Sequence, residues 1–167
     1  MISAAREAGH TTDLRPTRVL RILGWLCAAW IAWELLYYEQ YKLTGNPGSI
    51  EGVFQPLADW FGIPAFEKPI RLGVASLEIL ASVLVLIYPT RVLGAVLALG
   101  LMSGAIFFHT IGPIGIDPYG DGGKLFKEAC LTWCAALAIL VIHRAEAGML
   151  LRAILRRLPG RAPVRAA

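Results

Sequence analysis

The chain has 167 residues, 56% of them hydrophobic and 17% charged, with a mean hydropathy of +0.58 and a net charge of +4. A soluble domain of this size carries roughly 25% charged residues, so the composition excludes an ordinary water-soluble fold and leaves room for one membrane domain. The positive excess lies beside apolar stretches rather than in a stripe of its own, which excludes a nucleic-acid-binding surface.

Residues 1–17 are polar and predict a flexible lead-in on the cytoplasmic side. Residues 19–38 form the first apolar stretch, long enough for a helix to cross a hydrocarbon core of roughly 30 Å. It is too long for a signal-peptide core and no small-residue cleavage pattern follows, so it reads as a retained span. Tyr37 and Tyr38 close it at the interface, where aromatic side chains gather.

The loop 39–69 is long for a connection without structure of its own. Within it Ile50, Val53, Phe54, Leu57, Trp60 and Phe61 share one helical face, with Glu51, Gln55 and Asp59 opposite. The pattern predicts a short amphipathic helix over 49–61, capped by Ser49 and kinked near Pro56. Its apolar face reads as an anchor in the outer membrane surface; the alternative is a lid over the bundle.

Residues 70–88 and 92–111 are the second and third spans. Pro89, Thr90 and Arg91 join them in a turn so tight that the two must pack antiparallel. Gly100 and Gly104 in the third span stand four apart, a spacing that permits close helix approach, within the bundle or across a dimer face. The loop 112–124 is rich in Gly, Pro and Asp and predicts turns. Residues 125–142 are the fourth span. Beyond it, Met149, Leu150, Leu151, Ile154, Leu155 and Leu158 alternate with Arg152, Arg156 and Arg157. This predicts a basic amphipathic helix on the inner leaflet within the tail 144–167, stopped by Pro159.

The expected fold is therefore all-α: an integral membrane four-helix bundle over 18–143, antiparallel and up-down, with an outer interfacial helix and a basic amphipathic C-terminal helix. Lys and Arg set its orientation. Eleven lie in the N-terminal tail and the first turn after it, the Pro89–Arg91 turn and the C-terminal tail, against five in or beside the two remaining loops. Both termini should be cytoplasmic.

Ionisable residues inside a span cost at least ~2.5–3.5 kcal/mol on insertion scales, so they usually pair or work. Glu34, Glu78 and His109 are such residues here, with Lys127 and Glu128 at the mouth of the fourth span. At ~1.5 Å of rise per residue, Glu78 lies near the midplane and the others about 8–12 Å outward of it. Four spans thus contribute to one candidate outward-facing polar site. The alternative is that each acid is neutral or singly paired and serves packing.

The other constellations are weaker. His109 and His143 sit near opposite faces and cannot share a haem. Cys27, Cys130 and Cys134 make no disulfide framework. Cys130 and Cys134 with Ala138 form a row that reads as small residues at a helix interface. Asp117, Asp121, Gly122 and Glu128 match part of a calcium loop, but Tyr119 breaks the pattern, and no metal is expected. No cofactor-binding motif is evident.

Three stretches carry a family resemblance: Tyr38-Glu39-Gln40-Tyr41-Lys42-Leu43-Thr44-Gly45-Asn46-Pro47, then Gly73-Val74-Ala75-Ser76-Leu77-Glu78, then Gly104-Ala105-Ile106-Phe107-Phe108-His109. In this order and spacing the chain resembles the DoxX family of small four-helix membrane proteins, over most of residues 20–142. The resemblance implies an inner-membrane protein and marks Glu78 and His109 as family features. Some members of that family are small subunits of quinone-linked oxidoreductases. Others look like assembly factors. Two readings follow from it. One is a redox-associated subunit linked to a membrane quinone or a partner oxidoreductase. The other is a chaperone or scaffold for a client protein, without catalysis of its own. Both imply a lipid bilayer and a protein partner or homo-oligomer. A carrier is the weaker third, because polar residues do not continue through the inner half.

Overall fold

The computed structural model describes residues 17–157, with side chains through Arg152. The expected N-terminal tail and the stop at Pro159 lie outside the described residues. Four helices are long and apolar enough to cross a membrane: α1 (Arg18–Thr44), α4 (Glu67–Leu86), α5 (Arg91–Thr110) and α6 (Lys124–Ile142). Between α1 and α4 run two short helices, α2 (Pro47–Ser49) and α3 (Gln55–Trp60), joined by a π-helical turn over Ile50–Phe54. Helix α7 (Arg144–Arg157) follows α6 after His143. It bears the expected basic amphipathic sequence, and Met149 and Leu151 are exposed on it.

Helix α1 differs most from expectation. It runs six residues past the predicted end at Tyr38, to Thr44, because nothing breaks it before Gly45. There Gly45 adopts φ 69°, and the N–H groups of Gly45 and Asn46 close onto the carbonyls of Lys42 and Tyr41. A side chain at Gly45 would strain that left-handed turn. At 27 residues α1 is roughly 40 Å long, so Glu39 and Lys42 ride on the helix rather than in a loop.

Each long helix packs on two neighbours: α1 on α4 and α6, and α5 on α4 and α6. Side-chain contacts fix the directions. Arg71 near the start of α4 donates to the Lys42 carbonyl near the end of α1. Trp133 of α6 donates to Ser103 of α5 at 3.0 Å, and His109 lies beside Phe126. The shared core is rich in small residues: Ala28, Ala32, Ala81, Ala95, Ala98, Ala129 and Ala136 surround Ile31, Leu35, Val85, Met102 and Ile139. Small side chains let helices approach closely where hydrophobic burial supplies little drive.

The closest approach lies between α4 and α5. A Cβ on Gly94 would stand 2.4 Å from the backbone nitrogen of Val85. Arg91 secures the same corner: it is 1% exposed, donates Nε–H to the Val85 carbonyl at 3.1 Å, and stacks its guanidinium 3.8 Å over the Trp25 ring. Gly100 and Gly104, expected to mediate helix packing, do not do so within this chain. A Cβ at either would meet nothing within 4 Å. From the Gly94 contact outward, α4 and α5 diverge.

Two smaller expectations also give way. The row Cys130, Cys134 and Ala138 turns away from the core, with Cys134 exposed; the packed face of α6 is Ala129, Thr132, Ala136 and Ile139. Ser49 caps nothing, since helix α2 starts earlier with Asn46 accepting from Gly48 N–H at 2.9 Å. Pro56 follows the π-turn and falls in the first turn of α3, where its missing N–H costs no helical bond.

Candidate functional site

A cavity of about 920 Å³ opens where α4 and α5 diverge. Its polar lining includes Glu34, Tyr38 and Lys42 of α1, Glu78 of α4, His109 of α5 and Tyr119 of the loop after α5, with Tyr41, Asn46 and Ser49 at its edge. Its remaining walls are almost wholly apolar, as ligand sites usually are. The segment 47–60 covers it. Ser49, Phe54, Leu57 and Ala58 are buried, and Val53, Phe54 and Leu57 face the cavity. The inner face of the amphipathic segment lies on the bundle, the placement expected of the lid alternative, while Trp60, Phe61, Ile63 and Phe66 remain exposed.

The polar side chains are held from several helices. On α1, Glu34, Tyr38 and Lys42 stand four apart and so share one face. Lys42 donates from Nζ to Glu78 of α4 and, at 3.1 Å, to Glu39 one turn back. Behind them Arg71 donates to Glu67 at 2.5 Å and to the Lys42 carbonyl. Glu34 accepts from Thr132 of α6 at 3.4 Å, and Trp30 donates to Thr132 at 3.1 Å. Tyr38 donates its hydroxyl to Glu128. Glu34, Glu39, Glu67, Arg71, Glu78 and His109 are all below 10% exposed, so none is hydrated freely. One oxygen of Glu39 has no partner among the described residues.

His109 is oriented by its neighbour. Its Nδ1 lies 2.6 Å from the Gly115 carbonyl, which can only accept, so Nδ1 carries a proton. In the neutral ring Nε2 is therefore a bare acceptor. The loop after α5 is shaped by Asp117, whose carboxylate accepts the N–H groups of Asp121 and Gly122 at 2.9 and 3.2 Å. Backbone N–H groups, chiefly that of Gly123, hold its carboxyl below the usual range. Asp121 in turn accepts from Lys124 N–H at 3.0 Å. The oxygens expected of a calcium loop thus serve separate tasks, with Glu128 turned to Tyr38. Among the described residues no group of His, Cys, Asp and Glu forms a metal-binding cluster. Tyr119 crosses back to the cover segment, donating to the Gly48 carbonyl at 3.1 Å, with its ring against Gly52. Partial burial pushes the Tyr119 phenol up.

Four of the five sequence candidates meet in this region: Glu34, Glu78 and His109 line the cavity, and Glu128 is tied to it through Tyr38. Lys127 is exposed and belongs to the surface; the cation in the cavity lining is Lys42. Sequence reasoning missed Lys42 and Glu39 by ending the first span at Tyr38, missed Glu67 by starting the second at residue 70, and read Tyr38 only as an interfacial residue. A signal was present: the four-residue spacing of Glu34, Tyr38 and Lys42 continues one face up to the first breaker, Gly45.

No family model, curated protein or solved structure matches this chain.

Proposed function

We propose that this is a DoxX-like integral membrane protein of a bacterial inner membrane, acting as a redox-associated subunit that serves a membrane quinone together with a partner oxidoreductase. The bilayer part of the reading is supported by four long apolar helices whose outer faces expose Val19, Ile22, Leu26, Trp33, Leu80, Val83, Leu131 and Val141. Water disfavours an apolar belt of that extent and lipid accepts it. In this reading the four helices are up-down spans. The Arg-rich ends (the start of α1, the α4–α5 turn, and α7) face the cytoplasm, and the polar end of the cavity lies toward the outer side.

The observation that carries the functional part is the cavity itself. A carboxyl group, an ammonium and an imidazole line it in a setting otherwise apolar. Converting a quinone to its quinol takes two electrons, supplied here by the partner oxidoreductase, and two protons. The chain's residues suit the proton side. Buried carboxyl groups outnumber the buried cations Lys42 and Arg71 in the cluster, which gives it sites where protons can be held. Lys42 can donate to a ring oxygen. His109 Nε2, bare in the neutral ring, can accept from a hydroxyl and return the proton.

The test is Glu78→Gln. Lys42 keeps Glu39 at 3.1 Å in this variant, so insertion and folding should survive. Quinone-dependent electron transfer in membranes should be lost. Wild-type electron transfer in a folded variant removes the proposed role. The alternative, a scaffold for a client protein, draws on the exposed aromatic group Trp60, Phe61 and Phe66 at and just after the end of the cover segment. Alanine at these positions would then release a client while leaving electron transfer unchanged.

A further inference from the structure

The cavity is much longer than a ring-sized head group needs. Its polar lining is gathered toward one end, where Lys42, Glu78 and His109 lie. From there the lining runs along α5 through Phe108, Gly104, Gly100 and Val96 to Leu93, and along α4 to Leu84. At ~1.5 Å per residue, His109 to Leu93 spans roughly 24 Å. Apart from Glu34 on α1 this stretch is apolar, and it is not sealed. Leu80, Leu93 and Val96 line it yet are 45–47% exposed, and Gly100 is exposed too. It therefore opens sideways between α4 and α5, toward whatever surrounds the bundle. It ends where Gly94 brings the two helices into backbone contact.

We infer that this side groove is the tail channel of the site: a ligand with a small oxygen-bearing head and a long hydrocarbon tail enters from the bilayer between α4 and α5. Its head lies at Lys42, Glu78 and His109, and its tail along Gly100 and Gly104. The inference rests on the quinone reading and adds the route and the tail requirement. Two features carry it together. The groove is continuous with the polar end, so one molecule with both characters matches both parts. Phe54 and Leu57 are buried over the outer end and the Tyr119–Gly48 bond bridges it, while the α4–α5 side carries the exposed apolar lining residues that a hydrocarbon tail would pass. Gly100 and Gly104 then have a role that packing does not give them, since side chains there would narrow the channel without touching another helix.

The experiment measures binding of two probes by tryptophan fluorescence to the purified chain in lipid nanodiscs. One probe is a methyl-substituted benzoquinone. The other is the same ring carrying a decyl chain. The wild type should bind the decyl compound at least about tenfold more tightly, because each buried methylene adds affinity. Gly100→Leu and Gly104→Leu, made separately, should remove most of that advantage and leave the tail-less ring unchanged. Retained binding of the tail-less ring also shows that the variant is folded. An undiminished decyl advantage in both variants overturns the channel. So does a change of oligomeric state with unchanged binding, which would give the groove to a second copy of the chain. If the wild type binds neither probe, the quinone reading falls and takes this inference with it. If it binds both equally, only the channel falls.

Discussion

Gly94→Ala should be the most damaging single-methyl change in the bundle. The added Cβ would lie 2.4 Å from Val85 N and 2.8 Å from both Leu84 C and Val85 Cα, all backbone atoms that cannot swing aside. Restoring even a tight contact requires α4 and α5 to separate by about 1 Å at this point. The Arg91 bond to the Val85 carbonyl and the tight turn at Tyr88–Thr90 resist that movement. Overpacking of this kind costs about 1–3 kcal/mol. Gly100→Ala is the matched control, on the same helix and about two turns away. Its Cβ meets open space, and alanine is a better helix former than glycine by ~0.5–1 kcal/mol. Reversible unfolding by titrating dodecyl sulfate into mixed micelles measures both. Gly94→Ala should lose about 1–3 kcal/mol, while Gly100→Ala should lose nothing or gain slightly. Equal losses at the two positions, or no loss at Gly94, would refute the account of α4 and α5 as touching at one end and parted at the other.

Two further outcomes test the polar cluster and the outer loop. Lys42→Met leaves Glu39 and Glu78 buried without their shared cation and should cost about 3–5 kcal/mol at neutral pH. Adding Glu78→Gln should recover a large part of that loss, measured in the same titration, whereas simple additivity would deny that the three side chains act together. For the loop after α5, the depressed carboxyl of Asp117 sets the sign of the pH effect. Its ordering contribution should be full above the unfolded value of about 3.9 and fade as pH falls through the lower folded one. Hydrogen exchange at the Asp121 and Gly122 amides, corrected for intrinsic rates, should therefore stay slow from neutral pH to about 4 and quicken below it. Asp117→Asn should exchange quickly at every pH, and slow exchange in that variant would remove Asp117 as the loop's organiser.

The sequence by itself determined the number of long helices and their order. It also determined their antiparallel succession across the Pro89–Arg91 turn, and the presence of Glu34, Glu78 and His109 among apolar neighbours. These follow from local facts: the length of an apolar run, a breaker such as Gly45, and a charge where charges are costly. It could not determine which face of each helix turns inward. In a soluble protein the apolar face does so, but here the outer faces of the spans are apolar as well, and periodicity loses its meaning. The glycine rows show the result. Gly94 and Gly100 look alike in sequence, yet one touches the backbone of α4 and the other borders open space, a difference set only by how α5 is rotated and tilted. Lys42 shows it too. It takes the central cationic place, and Lys127 does not, because Lys42 lies across from Glu78, 36 residues away in the chain. The cover over the cavity was likewise decided in three dimensions: Phe54 and Leu57 could have turned to lipid, and the space between the diverging helices took them instead.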